Sequence, residues 1–178
     1  MAYAIVLYFD ENSEYPIYDV LDKLGEKGLS PSIHKGSIRP HMTLAIYDSI
    51  NCSECEDEIK RFCEKPEILN IQADHFGIFP HETSVIFIAP APTNELMNFQ
   101  KKIHQILEGN VGEAWEMYQP GKWVPHCTLA RDINKKDLSA ALEICIQMKL
   151  PLDLRITQIG VVEFEPITPL FEVNLTED

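Results

Sequence analysis

No stretch of this 178-residue chain stays apolar for the roughly 20 residues needed to cross a bilayer. The opening Met1-Ala2-Tyr3 also lacks the basic flank of an export signal. A cytoplasmic protein with no membrane partner is expected. Basic residues are scarce: 15 Lys and Arg face 28 Asp and Glu, for a formal net charge of −13. Proteins that grip long duplex nucleic acid do so by releasing counterions to basic side chains, so this balance argues against such a partner. Cysteines are few and odd in number, five at irregular spacing, which excludes a disulfide framework and predicts free thiols. Cys52 and Cys55 form one C-x-x-C pair, but no second pair follows to complete four ligands. Cys55, Ile59, Phe62 and Cys63 fall instead on one helical face, and core packing is the expectation there. Disorder is excluded as well, since 45% hydrophobic and 24% charged residues are ordinary globular values. A single domain spanning residues 1–178 is expected, large enough for a sound core.

What is present begins with Ala4-Ile5-Val6-Leu7-Tyr8-Phe9, a continuous apolar run that reads as a buried strand. From Tyr15 to Lys27 apolar residues recur at helical spacing, and Gly28 provides a stop. A loop over Ser30 to Gly36 leads to a strand at His41. Asn51 or Ser53 caps an acidic helix ending near Lys65-Pro66, and strands are predicted over 68–79 and 84–89, joined by a turn at Pro80 to Thr83. A second amphipathic helix runs from Thr93 to Glu108. The remainder repeats the earlier order: a strand at His126, a helix over 135–149, a strand over 152–164 and a last strand over 170–175.

The repetition is sharpest at Pro40-His41-Met42-Thr43-Leu44 and Pro125-His126-Cys127-Thr128-Leu129. Chance would place two copies of Pro-His-x-Thr-Leu in about one chain in a million of this size. In an extended segment His41 and Thr43 project to one side, as do His126 and Thr128, while Met42, Leu44, Cys127 and Leu129 point into a core. An imidazole can give or take a proton near neutrality and a hydroxyl can bond a phosphate oxygen. Two such halves facing one another make a phosphoryl-transfer site in which one imidazole acts as base and the other as acid, without a metal. A zinc site built on His41, His126 and a third histidine would leave the threonines unexplained. His34, His75, His81 and His104 have no such pattern and read as surface or core residues.

Around the motifs lie Lys35, Arg39, Lys122 and Arg131, which predict a local positive site on an acidic body, suited to a small phosphodiester or a single RNA end. Trp123, two residues before the second motif's proline, is a candidate for stacking on a base. Tyr8, Phe79 and Tyr118 read as core. Arg131 is five residues past His126 and so out of step on a regular strand; a bulge or strand end must bring it round if it is to touch phosphate.

The paired motifs resemble those of the 2H phosphoesterase superfamily, in its branch of 2′-5′ RNA ligase-like proteins and cyclic phosphodiesterases. Phe76-Gly77-Ile78-Phe79-Pro80 followed by Val85-Ile86-Phe87-Ile88 resembles that family's middle segment, and Arg131 matches an arginine that contacts phosphate in some members. Together with the repeat, the resemblance implies an α+β fold of two pseudo-symmetric lobes, each an antiparallel sheet backed by helices, with the cleft between them. It implies hydrolysis of 2′,3′-cyclic phosphates without a cofactor, His126 activating water and His41 protonating the leaving 3′ oxygen. Thr43, Thr128, Arg131, Arg39 and Trp123 would bind substrate, in a protein expected to be a monomer. Reversible 2′-5′ ligation at the same site and non-catalytic nucleotide binding stand as alternatives.

Overall fold

The computed structural model describes residues 1–30, 39–65, 69–164 and 167–176. The expected loop beyond Ser30, with His34 and Lys35, falls outside the described residues. Strand β1 (Ala2–Phe9) is followed by helix α1 (Glu11–Glu26), β2 (His41–Tyr47), α2 (Cys52–Cys63), β3 (Leu69–Phe79), β4 (Ser84–Pro90), α3 (Asn94–Leu107), β5 (Cys127–Ile133), α4 (Leu138–Cys145), β6 (Leu152–Phe164) and β7 (Thr168–Asn174). The α+β class and most element positions agree with the sequence reading. Helix α1 starts four residues earlier than its apolar period, because its first turn is held by polar contacts: Asp10 Oδ1 accepts from the Ser13 N–H at 2.9 Å. Helix α4 is shorter than expected, ending at Cys145.

All strand pairs are antiparallel and run β1-β2-β5-β4-β3-β6-β7, with β1 also pairing with β6. The sheet therefore closes on itself through β6, whose first half pairs with β3 and whose second half lies between β1 and β7. Motif strands β2 and β5 meet through the Met42–Cys127 pair. The repeated unit is visible as β2-α2-β3-β4 and β5-α4-β6-β7, but the lobes are not independent sheets built from each half. In one, β4 lies between β5 and β3; in the other, β1 takes the corresponding place between β2 and β6, and β7 is displaced to the outer edge.

That placement explains the unbroken apolar run of β1. Ile5, Leu7 and Phe9 enter the main core beneath the helices, while Ala4, Val6 and Tyr8 join Ile46 and Val162 in a smaller cluster on the opposite face. A central strand buried on both faces has no need of polar alternation. Helix α2 contributes Cys55, Ile59 and Cys63 to the main core, as its spacing predicts, and all five cysteines are free.

Two glycines keep aromatic rings close to the sheet. A Cβ on Gly77 would overlap the Phe87 ring opposite it, and one on Gly160 would overlap Tyr8. Gly77→Ala is therefore expected to lower stability by about 1–3 kcal/mol through overpacking. Urea denaturation checks this, and a Gly77→Ala/Phe87→Ala double variant should be less destabilised than the sum of its singles.

Candidate active site

Pro40-His41-Met42-Thr43 and Pro125-His126-Cys127-Thr128 are held in the same way. Met42 and Cys127 are fully buried at the strand junction, so their neighbours turn to the opposite face. There His41, Thr43, His126 and Thr128 line one cavity of about 520 Å³. In each motif the imidazole Nδ1 lies against the carbonyl two residues back, His41 on Arg39 O at 2.8 Å and His126 on Val124 O at 2.7 Å. A carbonyl oxygen only accepts, so both Nδ1 atoms carry a proton. Each neutral ring therefore keeps Nε2 as its basic nitrogen, and each protonated ring keeps Nε2–H as its available acid.

The motif repeat extends further than Leu, to Thr-Leu-Ala at 43–45 and 128–130. Register slips by one residue at both places: Val6 faces Thr43 and Ile5 faces Ala45, while Phe87 faces Thr128 and Ile86 faces Ala130. These are bulges, and they flip the alternation. Leu44 with Ala45, and Leu129 with Ala130, all enter the main core, and the next residues, Ile46 and Arg131, return to the cavity. The bulge that the sequence demanded of Arg131 is present. Its pseudo-symmetric counterpart is Ile46, so the cavity has a guanidinium on the His126 side and an aliphatic side chain on the other.

Beside the first bulge, side chains bond the backbone carbonyls of the motif strand. Trp123 Nε1 donates to Thr43 O at 2.9 Å, and Gln100 Nε2 donates to Leu44 O at 3.2 Å and to Tyr118 O at 2.7 Å. His104 Nε2 donates to the same Tyr118 carbonyl, and its Nδ1 accepts from the Tyr47 hydroxyl. This buried network fastens the Glu116–Tyr118 turn, whose Tyr118 lines the cavity, to the strand that carries Thr43. The sequence reading places His104 only at the surface or in the core and does not name Gln100. A glutamine among Leu96, Phe99 and Ile103 on the apolar face of α3 was the signal.

Trp123 departs from expectation. With 4% of its surface exposed, it lines the cavity beside His126 only by a small part of its ring, and its indole serves as a strut between the motif loops. Arg39 departs too. Its Nε donates to Glu14 Oε1 at 2.6 Å, Nη1 to Gln158 Oε1 at 2.5 Å and Nη2 to Phe9 O at 2.7 Å, while the guanidinium lies 4.5 Å over the Tyr8 ring. Arg39 lines the cavity, but these contacts make it a brace for Tyr8 and the His41 loop. The expected positive site is largely neutralised by pairing: Arg39 with Glu14, Lys122 with Glu116, and Arg131 Nε with Asp132 Oδ2 at 3.1 Å. The last contact uses one of five guanidinium donors.

The two imidazoles differ in what surrounds them. His126 stands between Phe79 and Phe87, with ring centroids at 5.0 and 5.2 Å, whereas His41 meets the edge of Tyr8 at 6.3 Å. Burial holds the pKa of both below the ordinary histidine value, and the His126 charge adds to the effect on His41. Burial pushes the Tyr8 phenol up to about 12, so it stays protonated. Tyr8 and Phe79, read as core from the sequence, thus frame the imidazoles. Among the described residues no three His, Cys, Asp or Glu side chains converge as metal ligands, and no helix is long and apolar enough to cross a bilayer.

A closed antiparallel sheet with paired His-x-Thr strands facing one cavity defines the two-histidine phosphoesterase class of fold. Residues 36–166 match the family model of the 2′-5′ RNA ligase superfamily, and the chain belongs to that superfamily. Among solved structures, Escherichia coli LigT in complex with 3′-AMP is 15% identical with a TM-score of 0.61, covering 99% of this chain and 100% of its own. Usb1 of Kluyveromyces marxianus is 12% identical with a TM-score of 0.55, covering 98% and 97%. The Oceanobacillus iheyensis protein OB1230, whose name describes a phosphoesterase, is 28% identical over 108 residues, which span 59% of each chain.

Trp123→Phe removes the indole donor to the Thr43 carbonyl. A loss of about 1–3 kcal/mol in denaturant-measured stability is expected. A stacking residue would show the reverse pattern, with stability kept and nucleotide affinity lost.

Proposed function

We propose that this protein is a phosphodiesterase that opens 2′,3′-cyclic phosphates of nucleotides or RNA ends by two-histidine acid-base catalysis. The observation that carries the reading is the matched tethering of His41 and His126: both Nδ1 atoms donate to a backbone carbonyl two residues back, and both rings line one cavity with a threonine beside each. Base and acid are thereby both supplied by side chains, and the chemistry needs no metal. Neutral His126 Nε2 takes a proton from water as its oxygen adds to phosphorus. The P–O3′ bond breaks, and protonated His41 gives its Nε2 proton to O3′, leaving a 2′-phosphomonoester. The roles of His126 as base and His41 as acid follow the family resemblance, and burial favours the neutral form of both rings. Thr43, Thr128 and Arg131 donate to the non-bridging phosphate oxygens, and Ile46, Val162 and Phe164 offer apolar surface to the nucleoside. The fold neighbours crystallised with 3′-AMP and with uridine monophosphate support a nucleotide-sized ligand.

Incubation with a 2′,3′-cyclic nucleotide in the presence of EDTA tests the reading; absence of turnover would leave a binding module. His41→Ala and His126→Ala should each lower kcat by about 10²–10⁴-fold, and the double variant should be scarcely worse.

The lowered imidazole pKa values set the pH dependence. One ring must be neutral and the other charged, and burial favours the neutral form of both, so the singly protonated pair is reached only at more acidic pH than for free imidazoles. The bell in kcat/KM, which reports the free enzyme, should peak on the acid side of the ordinary value of 6.5. The bell in kcat should lie higher, because bound phosphate favours imidazolium. A flat profile between pH 5 and 9 would overturn the acid-base assignment.

A further inference from the structure

Among the described residues two that are not glycine take a positive φ, Ser30 at 57° and Asp132 at 60°. A left-handed backbone is strained for a residue with a Cβ and persists only where surrounding contacts hold it. Both residues bond the same arginine. Ser30 Oγ accepts the backbone N–H of Arg131 at 2.9 Å, and Asp132 Oδ2 accepts from Arg131 Nε at 3.1 Å. Each strained position has a local origin. Helix α1 closes with the Leu29 N–H on Leu24 O at 2.9 Å and with Gly28 at φ 66°, and this turn carries Ser30 into a buried place beside β5. On β5, Ala130 pairs with Ile86 and Ile133 with Ser84, so Arg131 and Asp132 together stand opposite Val85. The left-handed Asp132 absorbs this further bulge, which returns Ile133 to the core and leaves Arg131 lining the cavity of the two imidazoles.

We propose that Ser30 and Asp132 are positioning residues for Arg131, which hold its backbone and its Nε so that the two Nη groups are aimed together at the non-bridging oxygens of a phosphate. The inference rests on the phosphate-binding role given to Arg131 above and adds the residues through which that role is met. The arginine is fixed at its root by Ser30 and along one edge by Asp132, and among the described residues neither Nη1 nor Nη2 has a partner. A guanidinium held in this way presents two parallel donors to two oxygens of one anion.

The other arginine of the cavity is the contrast. Arg39 has Nε, Nη1 and Nη2 all engaged, by Glu14, Gln158 and the Phe9 carbonyl, so no fork is left for a ligand. The choice of an aspartate beside Arg131 separates aim from charge. A carboxylate next to the guanidinium opposes the approach of an anion, so a site that worked only by accumulating positive charge would bind phosphate more tightly without it. A site that works by orientation would bind phosphate less tightly.

The test measures inorganic phosphate binding by calorimetry and kcat/KM on a 2′,3′-cyclic mononucleotide, for wild type, Ser30→Gly, Asp132→Gly, Asp132→Asn and Arg131→Ala. Glycine accepts the left-handed backbone at either position, so the glycine variants lose the acceptor and keep the fold. Each should weaken phosphate binding by about tenfold and lower kcat/KM in parallel. Asp132→Asn keeps an acceptor oxygen and tolerates the same backbone, and it should bind phosphate at least as tightly as wild type. In an Arg131→Ala background neither glycine substitution should cause a further loss, because both act through the guanidinium. Tighter phosphate binding by Asp132→Gly, wild-type affinity in both glycine variants, or a Ser30→Gly loss that persists without Arg131 would overturn the proposal, as would a wild-type protein that binds no phosphate. Turnover that falls in Arg131→Ala and stays at the wild-type rate in both glycine variants would overturn the positioning and leave the proposed function intact. No turnover in any form, with the pattern of phosphate affinities present, would overturn the catalytic reading and keep the positioning.

Discussion

One antiparallel contact, Met42 on Cys127, closes the sheet at the point where the two halves of the chain meet. Both side chains are fully buried beneath the strands, and strand alternation then leaves their neighbours no choice of face. His41, Thr43, His126 and Thr128 are on the cavity side because the residues between them are in the core. A polar residue at position 42 or 127 would oppose that burial and so disturb both motifs at once. The two bulges belong to the same constraint. By admitting Leu44 with Ala45 and Leu129 with Ala130 to the core, they send Ile46 and Arg131 to the cavity and give a symmetric frame an unequal content.

Electrostatics around the site work through pairing more than through accumulated charge. The acidic body carries a formal −13, and among the described residues Arg39, Lys122 and Arg131 each meet a carboxylate. Arg39 is the clearest case, since Glu14, Gln158 and the Phe9 carbonyl all accept from it while its plane covers Tyr8. A guanidinium fixed in this way makes a good support and a poor mobile clamp. The cavity charge that remains to be set is largely that of the imidazoles, and their burial makes it sensitive to pH and to the arrival of an anion.

The polar network behind Thr43 shows how a bulge is paid for elsewhere in the chain. Two consecutive backbone carbonyls are captured by side chains from α3 and from the loop ahead of β5, 56 and 80 residues away in sequence. Through Tyr118 the same network sets part of the cavity wall. Motif strand, bulge, helix and loop are thus one mechanical unit, and the packing of α3 bears on the shape of a site that it does not line.

The sequence by itself determined the strand and helix order, the α+β class, the packing role of Cys55 and Cys63 and the pairing of His41 with His126. These follow from local rules: alternation, helical period, turn residues and a repeated pentapeptide. It also showed that Arg131 needed a bulge, because five residues cannot keep one face on a regular strand. Only the tertiary structure decided that β1 would take the place between β2 and β6, that Trp123 would be a strut and Arg39 a brace, and that Tyr8 and Phe79 would frame imidazoles. Each of those depends on which distant strand or side chain arrives beside the residue. Local periodicity fixes the face on which a side chain emerges, and long-range pairing fixes what it meets there.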